Sequence, residues 1–260
     1  MRNVARPSSV LRKVPEITLL FWVVKLLTTA LGESTSDYLV VRINPYLAVL
    51  LGGVCFAIAL LLQFSVRKYV AWIYWLAVAM VAVFGTMAAD ATHIQLGIPY
   101  IFSTVVFAAS LAVIFKLWDR TEGTLSIHSI NSRRREIFYW IVVMATFALG
   151  TSAGDLTAIT LGLGYLASAF LFAGLIALPA LAYWKFGLSE TTAFWSAYVL
   201  TRPLGASVAD WMGKSKTVSG LGIGDLRVST ALVILIVTFI CYMTFNRQEA
   251  KLETNAKTRS

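Results

Sequence analysis

The chain has 260 residues, of which 58% are hydrophobic and 13% charged, with a mean hydropathy of +0.75. A soluble domain carries about 45–50% apolar and about 25% charged residues, so there is too little charge here to coat a water-soluble globule, and a soluble enzyme is excluded. The formal net charge of +9 does not point to nucleic acid, because the basic residues sit in the tails and between apolar runs rather than on one polar face. The composition reads as an all-α, polytopic integral membrane protein, with the lipid bilayer as its main partner.

Eight apolar stretches of roughly 17–22 residues, each long enough to cross a bilayer, follow one another at 17–37, 46–64, 70–90, 99–115, 137–155, 163–184, 192–210 and 228–245. Cytoplasmic loops of membrane proteins are enriched in Lys and Arg. Sixteen of the 22 basic residues fall in the two tails and the alternate loops that share their side, including Lys13, Arg67, Lys68, Arg133, Arg134 and Arg135; four, namely Arg42, Lys214, Lys216 and Arg227, fall on the other. This places both termini in the cytoplasm. The two cysteines, Cys55 and Cys241, lie inside apolar runs and read as inert core thiols. His93 and His128 are too far apart to form a metal site by themselves.

Self-similarity is the most informative pattern. The odd-numbered stretches contain FWVVKLLTTALGESTSD, YWLAVAMVAVFGTMAAD, YWIVVMATFALGTSAGD and FWSAYVLTRPLGASVAD. An aromatic precedes Trp22, Trp75, Trp140 and Trp195; ten residues later come Gly32, Gly85, Gly150 and Gly205; five further on come Asp37, Asp90, Asp155 and Asp210. The chain therefore divides into a tail (1–16), repeat one (17–65), repeat two (66–116), a polar linker (117–136), repeat three (137–185), repeat four (186–245) and a second tail (246–260). Each repeat is one helix out and one back, so eight transmembrane helices form four parallel two-helix repeats. Small residues four positions after each glycine (Ser36, Ala89, Gly154 and Ala209) let helix backbones approach, which puts the four glycine-bearing helices innermost.

On these residues the chain resembles a family of bacterial membrane proteins built of four tandem copies of a repeat of unknown function, each with two spans and a characteristic tryptophan. The resemblance covers nearly the whole chain and implies a bacterial cytoplasmic (inner) membrane protein. It brings no activity with it.

Chemistry is therefore read from the residues. Trp and Asp stand 15 residues apart, about 22 Å along a helix, which sets the tryptophans near one interface as an aromatic belt and the aspartates near the other. Four carboxylates at one depth, with Glu33 as a fifth, repel one another unless a cation or protons neutralise them. The residue after each glycine (Glu33, Thr86, Thr151 or Ala206) shares a helix face with the Asp four positions on. Carboxylate and hydroxyl oxygens are ligands for hard cations such as magnesium, manganese or calcium. Glu33, Asp37, Asp90, Asp155 and Asp210 are thus the candidate metal ligands, with Thr86, Thr151, Lys25 and Arg202 as further substrate-binding or proton-coupling residues. The same spacing also fits aspartates that only cap loops. Lys25 and Arg202 lie within apolar stretches, where a lipid-facing charge costs about 2.5–3.5 kcal/mol, so each is expected to pair with an acid on another helix; Lys25 has the alternative of snorkelling.

No Ser-His-Asp arrangement, HExxH or phosphate loop is present, and no enzyme activity or resident cofactor is expected. The reading is a secondary transporter of a small cation, a hard divalent metal such as manganese exchanged against protons, with that cation as substrate. The alternatives are a carrier of a small anion or organic acid that uses Lys25 and Arg202, and a non-transporting membrane scaffold.

Overall fold

The structure is a computed structural model that describes residues 13–94 and 96–257. Arg2, Arg6, Arg12 and Arg259, which enter the charge asymmetry, lie outside the described residues. Among those described, eight α-helices follow in order: α1 (Leu19–Arg42), α2 (Pro45–Ser65), α3 (Ala71–Ile94), α4 (Tyr100–Glu122), α5 (Arg133–Asp155), α6 (Gly164–Phe186), α7 (Glu190–Gly213) and α8 (Asp225–Lys257). Local chemistry sets their ends. The Thr18 and Ser189 hydroxyls accept hydrogen bonds from Phe21 N and Thr192 N at the starts of α1 and α7, and Asn44 followed by Pro45 opens α2. Gly123 and Gly187 close α4 and α6 with φ of 68°, the left-handed cap that glycine adopts without strain.

The polar linker is shorter than the apolar pattern implies. α4 runs on through Lys116 to Glu122, and α5 begins at Arg133 behind its Ser132 cap, because a helix that leaves an apolar layer needs no further apolar residues to continue. A single turn of π-helix, Leu156–Thr160, extends α5 directly beyond Asp155.

The helices form two concentric rings. α1 packs on α3, α3 on α5, α5 on α7, and α7 back on α1; outside them α2 lies on α3, α4 on α5, α6 on α7, and α8 on α1. The second helix of each repeat thus leans on the first helix of the next, and α8 closes the circle. One end of the bundle, here the tail end, carries the start of α1 and the 123–132 connection. The other, the loop end, carries the turns after α1, α3, α5 and α7.

Among the described residues, six helices are long and apolar enough to cross a membrane: α2, α4, α6, α8 and, at the centre, α3 and α5. α1 and α7 fall outside that set because they hold Lys25, Glu33, Asp37, Arg202 and Asp210, all turned inward or partly shielded. The outer helices expose large apolar side chains, among them Leu50, Ile58, Phe102, Phe170 and Ile234, which suits a multi-pass membrane protein. Cys55 and Cys241 are on these exposed faces rather than in the core, since α2 and α8 bury only a narrow stripe.

The tryptophans do not form a belt. Trp75, Trp140 and Trp195 are buried and Trp22 is partly buried. Their indoles fill the seams of the bundle: Trp195 packs on Trp118 and Phe115 of α4, with centroids 5.7 and 5.1 Å away, and donates its ring N–H to Leu125 O at 2.9 Å. The preceding aromatics Phe21, Tyr74, Tyr139 and Phe194 are buried beside them, and the Tyr74 and Tyr139 hydroxyls bond to each other.

Candidate functional site

The inner ring is locked by the four repeated glycines. Each receives the residue that lies three positions before the glycine of the next inner helix: Ala82 beside Gly32, Phe147 beside Gly85, Arg202 beside Gly150, and Thr29 beside Gly205. A Cβ on Gly32 would stand 2.5 Å from that of Ala82, and one on Gly85 2.8 Å from that of Phe147. No side chain larger than hydrogen fits at these crossings.

That geometry turns the residues after Gly32, Gly85 and Gly150 toward one point. Arg202, fully buried on α7, donates from Nη2 to Glu33 Oε2 at 2.8 Å, to Thr151 Oγ1 at 2.7 Å and to Thr86 Oγ1. Its Nη1 reaches Thr29 O at 3.4 Å, and its guanidinium lies 5.1 Å from the centre of the Phe147 ring. Repeats one, two and three thus each give one side-chain acceptor to the cation of repeat four, and repeat one adds a backbone carbonyl. The pairing of Arg202 with an acid on another inner helix is observed, with Glu33 as the acid. Thr86 and Thr151 solvate the guanidinium instead of lying free beside the aspartates.

Loop-ward of this layer the acids converge. Carboxylate oxygens of Glu33, Asp37 and Asp90 all lie within 4.8 Å of one another. Lys214, the residue that caps α7, places Nζ 2.6 Å from Asp37 Oδ2 and 3.9 Å from Asp210 Oδ1. Asp210 is 6% exposed at its side chain and its Oδ1 has no hydrogen-bond partner among the described residues. Asp155 stands outside the close triad but within electrostatic reach of Glu33 and Asp37, and Asp225, at the start of α8, within reach of Lys214. Burial disfavours the Lys214 ammonium, but Asp37 and Asp210 outweigh it and hold the group above the ordinary lysine range. The five carboxylates of the inner helices share this end with two cationic side chains, Arg202 paired with Glu33 and Lys214 placed between Asp37 and Asp210.

Lys25 takes neither expected position. It is 1% exposed and has no hydrogen-bond partner among the described residues; its Nζ lies over the rings of Phe147 and Tyr198, 4.3 and 4.2 Å from their centres. His93, three residues after Asp90, belongs to the packing rather than to the acid cluster. It is buried on Tyr100, with Nδ1 2.8 Å from Ile98 O and Nε2 3.2 Å from Ser152 Oγ, and it ties α3 to the start of α4 and to α5.

The sequence counted Lys214 only as a loop charge. Its four-residue spacing from Asp210 at a helix end is the signal that would have found it. Thr29 carries no such signal until the repeats are aligned on their glycines, when it falls in register with Ala82, Phe147 and Arg202.

With this geometry in place, comparison with known proteins gives a family but no activity. The family profile described as Repeat of Unknown Function (DUF347) matches four times in tandem, at residues 20–69, 73–124, 138–188 and 193–249. The chain belongs to that family. No curated protein and no solved structure matches it.

Proposed function

We propose that this member of the four-repeat family crosses a bacterial cytoplasmic membrane eight times, with both termini inside, and exchanges a small hard cation for protons, manganese being the leading case. The observation that carries the reading is the imbalance inside the inner ring toward its loop end: Glu33, Asp37, Asp90, Asp155 and Asp210 outnumber the cations paired with them, Arg202 and Lys214. Inside a low-dielectric bundle that excess requires a bound cation, protons, or each in turn. A site that alternates between them is a site for exchange. The oxygen-only donor set suits hard divalent ions. α1 and α7 cross the membrane in this reading because the other helices enclose their charges, which removes most of the cost of an intramembrane ion.

The test is a response of the proton gradient in everted membrane vesicles to manganese, magnesium, calcium, cobalt or zinc. Wild type is compared with Asp155→Asn at matched expression. A gradient collapse caused by one hard cation and lost in the variant supports exchange; silence across the panel removes it. A second reading, a carrier of a small anion, draws on Lys25 Nζ and Arg202 Nε, which have no acceptor among the described residues. It requires Arg202→Gln to abolish activity while Asn is tolerated at the aspartates.

A further inference from the structure

The loop after α7 differs from the other three at this end. The turns after α1, α3 and α5 are short, whereas residues 214–224 fold back along α7 as a glycine-rich strap. Leu221 N donates to Trp211 O at 2.6 Å, Ile223 N to Met212 O at 3.1 Å, Gly224 N to Gly213 O at 3.2 Å, and Gly222 N to Lys214 O at 2.8 Å. Gly222 and Gly224 hold φ of 79° and 93°, values that side-chain-bearing residues rarely adopt. A Cβ on Gly220 would run into the Lys214 carbonyl oxygen. The strap fixes the backbone of Lys214 through these contacts, while its side chain remains 29% exposed and joins Asp37 of repeat one to Asp210 of repeat four. Four residues beyond the conserved-spacing Asp, the other repeats carry Val41, Ile94 and Ile159; only repeat four has a cation there.

We propose that Lys214 is a tethered cation: its ammonium holds a place beside the Glu33–Asp37–Asp90 triad that a substrate cation must take, and so selects divalent over monovalent ions. The inference rests on the cation reading above. Asp37 belongs both to the triad and to the ammonium's ion pair, so the same carboxylate cannot serve a metal ion and Lys214 fully. Asp210 Oδ1, buried and without a hydrogen bond among the described residues, is the second anchor that the ammonium approaches at 3.9 Å. A monovalent ion offers the carboxylates no more charge than the ammonium already does, and it competes against a group held by the chain at high effective concentration. A divalent ion brings twice the charge and displaces the lysine, whose flexible, 29% exposed side chain can swing toward solvent.

Binding of manganese(II) to the purified full-length protein, read by electron paramagnetic resonance of the free ion, tests this in wild type, Lys214→Met and Gly220→Ala. Lys214→Met is expected to bind about tenfold more tightly, as loss of a tethered competitor requires, and to become sensitive to competition by sodium. Gly220→Ala keeps the lysine but pushes its backbone away, and is expected to gain affinity by a smaller factor; it also covers the case in which Lys214→Met does not fold. Wild-type binding with equal or weaker affinity in the folded variants overturns the tether and leaves the cation reading standing. Absence of binding in all three proteins overturns both.

Discussion

The two parts of the inner ring, the aromatic layer at the tail end and the part that runs from the residues nested at the repeated glycines to the loop end, are built from the same four repeats and behave differently. At the tail end the aromatic positions stay alike: Phe21, Tyr74, Tyr139 and Phe194 form one layer, with buried Trp75, Trp140 and Trp195 next to it. In the other part equivalent positions diverge. The residue after the glycine is Glu33, Thr86, Thr151 or Ala206, and the residue three before it is Thr29, Ala82, Phe147 or Arg202. Packing a ring of four helices is a task that four similar layers perform well. A single guanidinium, by contrast, needs unlike partners around it, and four copies of Arg202 at one level would repel one another. The repeat supplies the scaffold, and departure from the repeat supplies the chemistry.

Substitutions sharpen this contrast. The largest effect belongs to the glycine crossings. Gly150→Leu drives a side chain into Arg202 and Pro203, beyond the about 1–3 kcal/mol usual for an overpacked core, and is expected to abolish the monodisperse species in size-exclusion chromatography. Gly174→Leu, at an α6 position with no neighbour within 4 Å, is expected to leave it intact. Next comes the polar part. Arg202→Gln strands Glu33 as a buried, unpaired charge and is expected to destabilise by about 3–5 kcal/mol, read as lost thermal stability in detergent. Adding Glu33→Gln removes the stranded charge and should restore much of that loss; an unrecovered double variant breaks the assignment of the pair. The smallest effect lies at the tail end. Tyr74→Phe deletes the hydroxyl pair with Tyr139 at a cost of about 0.5–1.5 kcal/mol, with no change in the cation response of vesicles.

Much of the architecture was legible in the sequence because the repeat states it four times. The helices, the tandem order and the inner position of the glycine helices all follow from one spacing, and the family profile likewise matches four times in tandem. Where spacing alone was used to place a side chain relative to lipid, it misled. A Trp near a helix end fits an interfacial belt as well as a bundle seam, and only the closing of the ring decides that Trp75 and Trp195 point inward. The same holds for Cys55 and Cys241, whose apolar runs do not reveal which face meets a neighbour. Arg202 could be recognised as a buried cation in need of an acid, but its meeting with Glu33, Thr86 and Thr151 depends on which residues nest at the glycines of the next helix. Lys214 was hidden because its partner Asp37 is far away in sequence and is reached only when repeat four closes on repeat one.

The central claim is that the excess of carboxylates at the loop end holds a hard cation. Anomalous scattering at the manganese edge from crystals grown with manganese(II) addresses it directly. The account predicts a peak enclosed by the carboxylates of Glu33, Asp37 and Asp90, absent from crystals of Asp90→Asn grown in the same way. A structure with no peak there, or with manganese bound only on the outer surface, contradicts it.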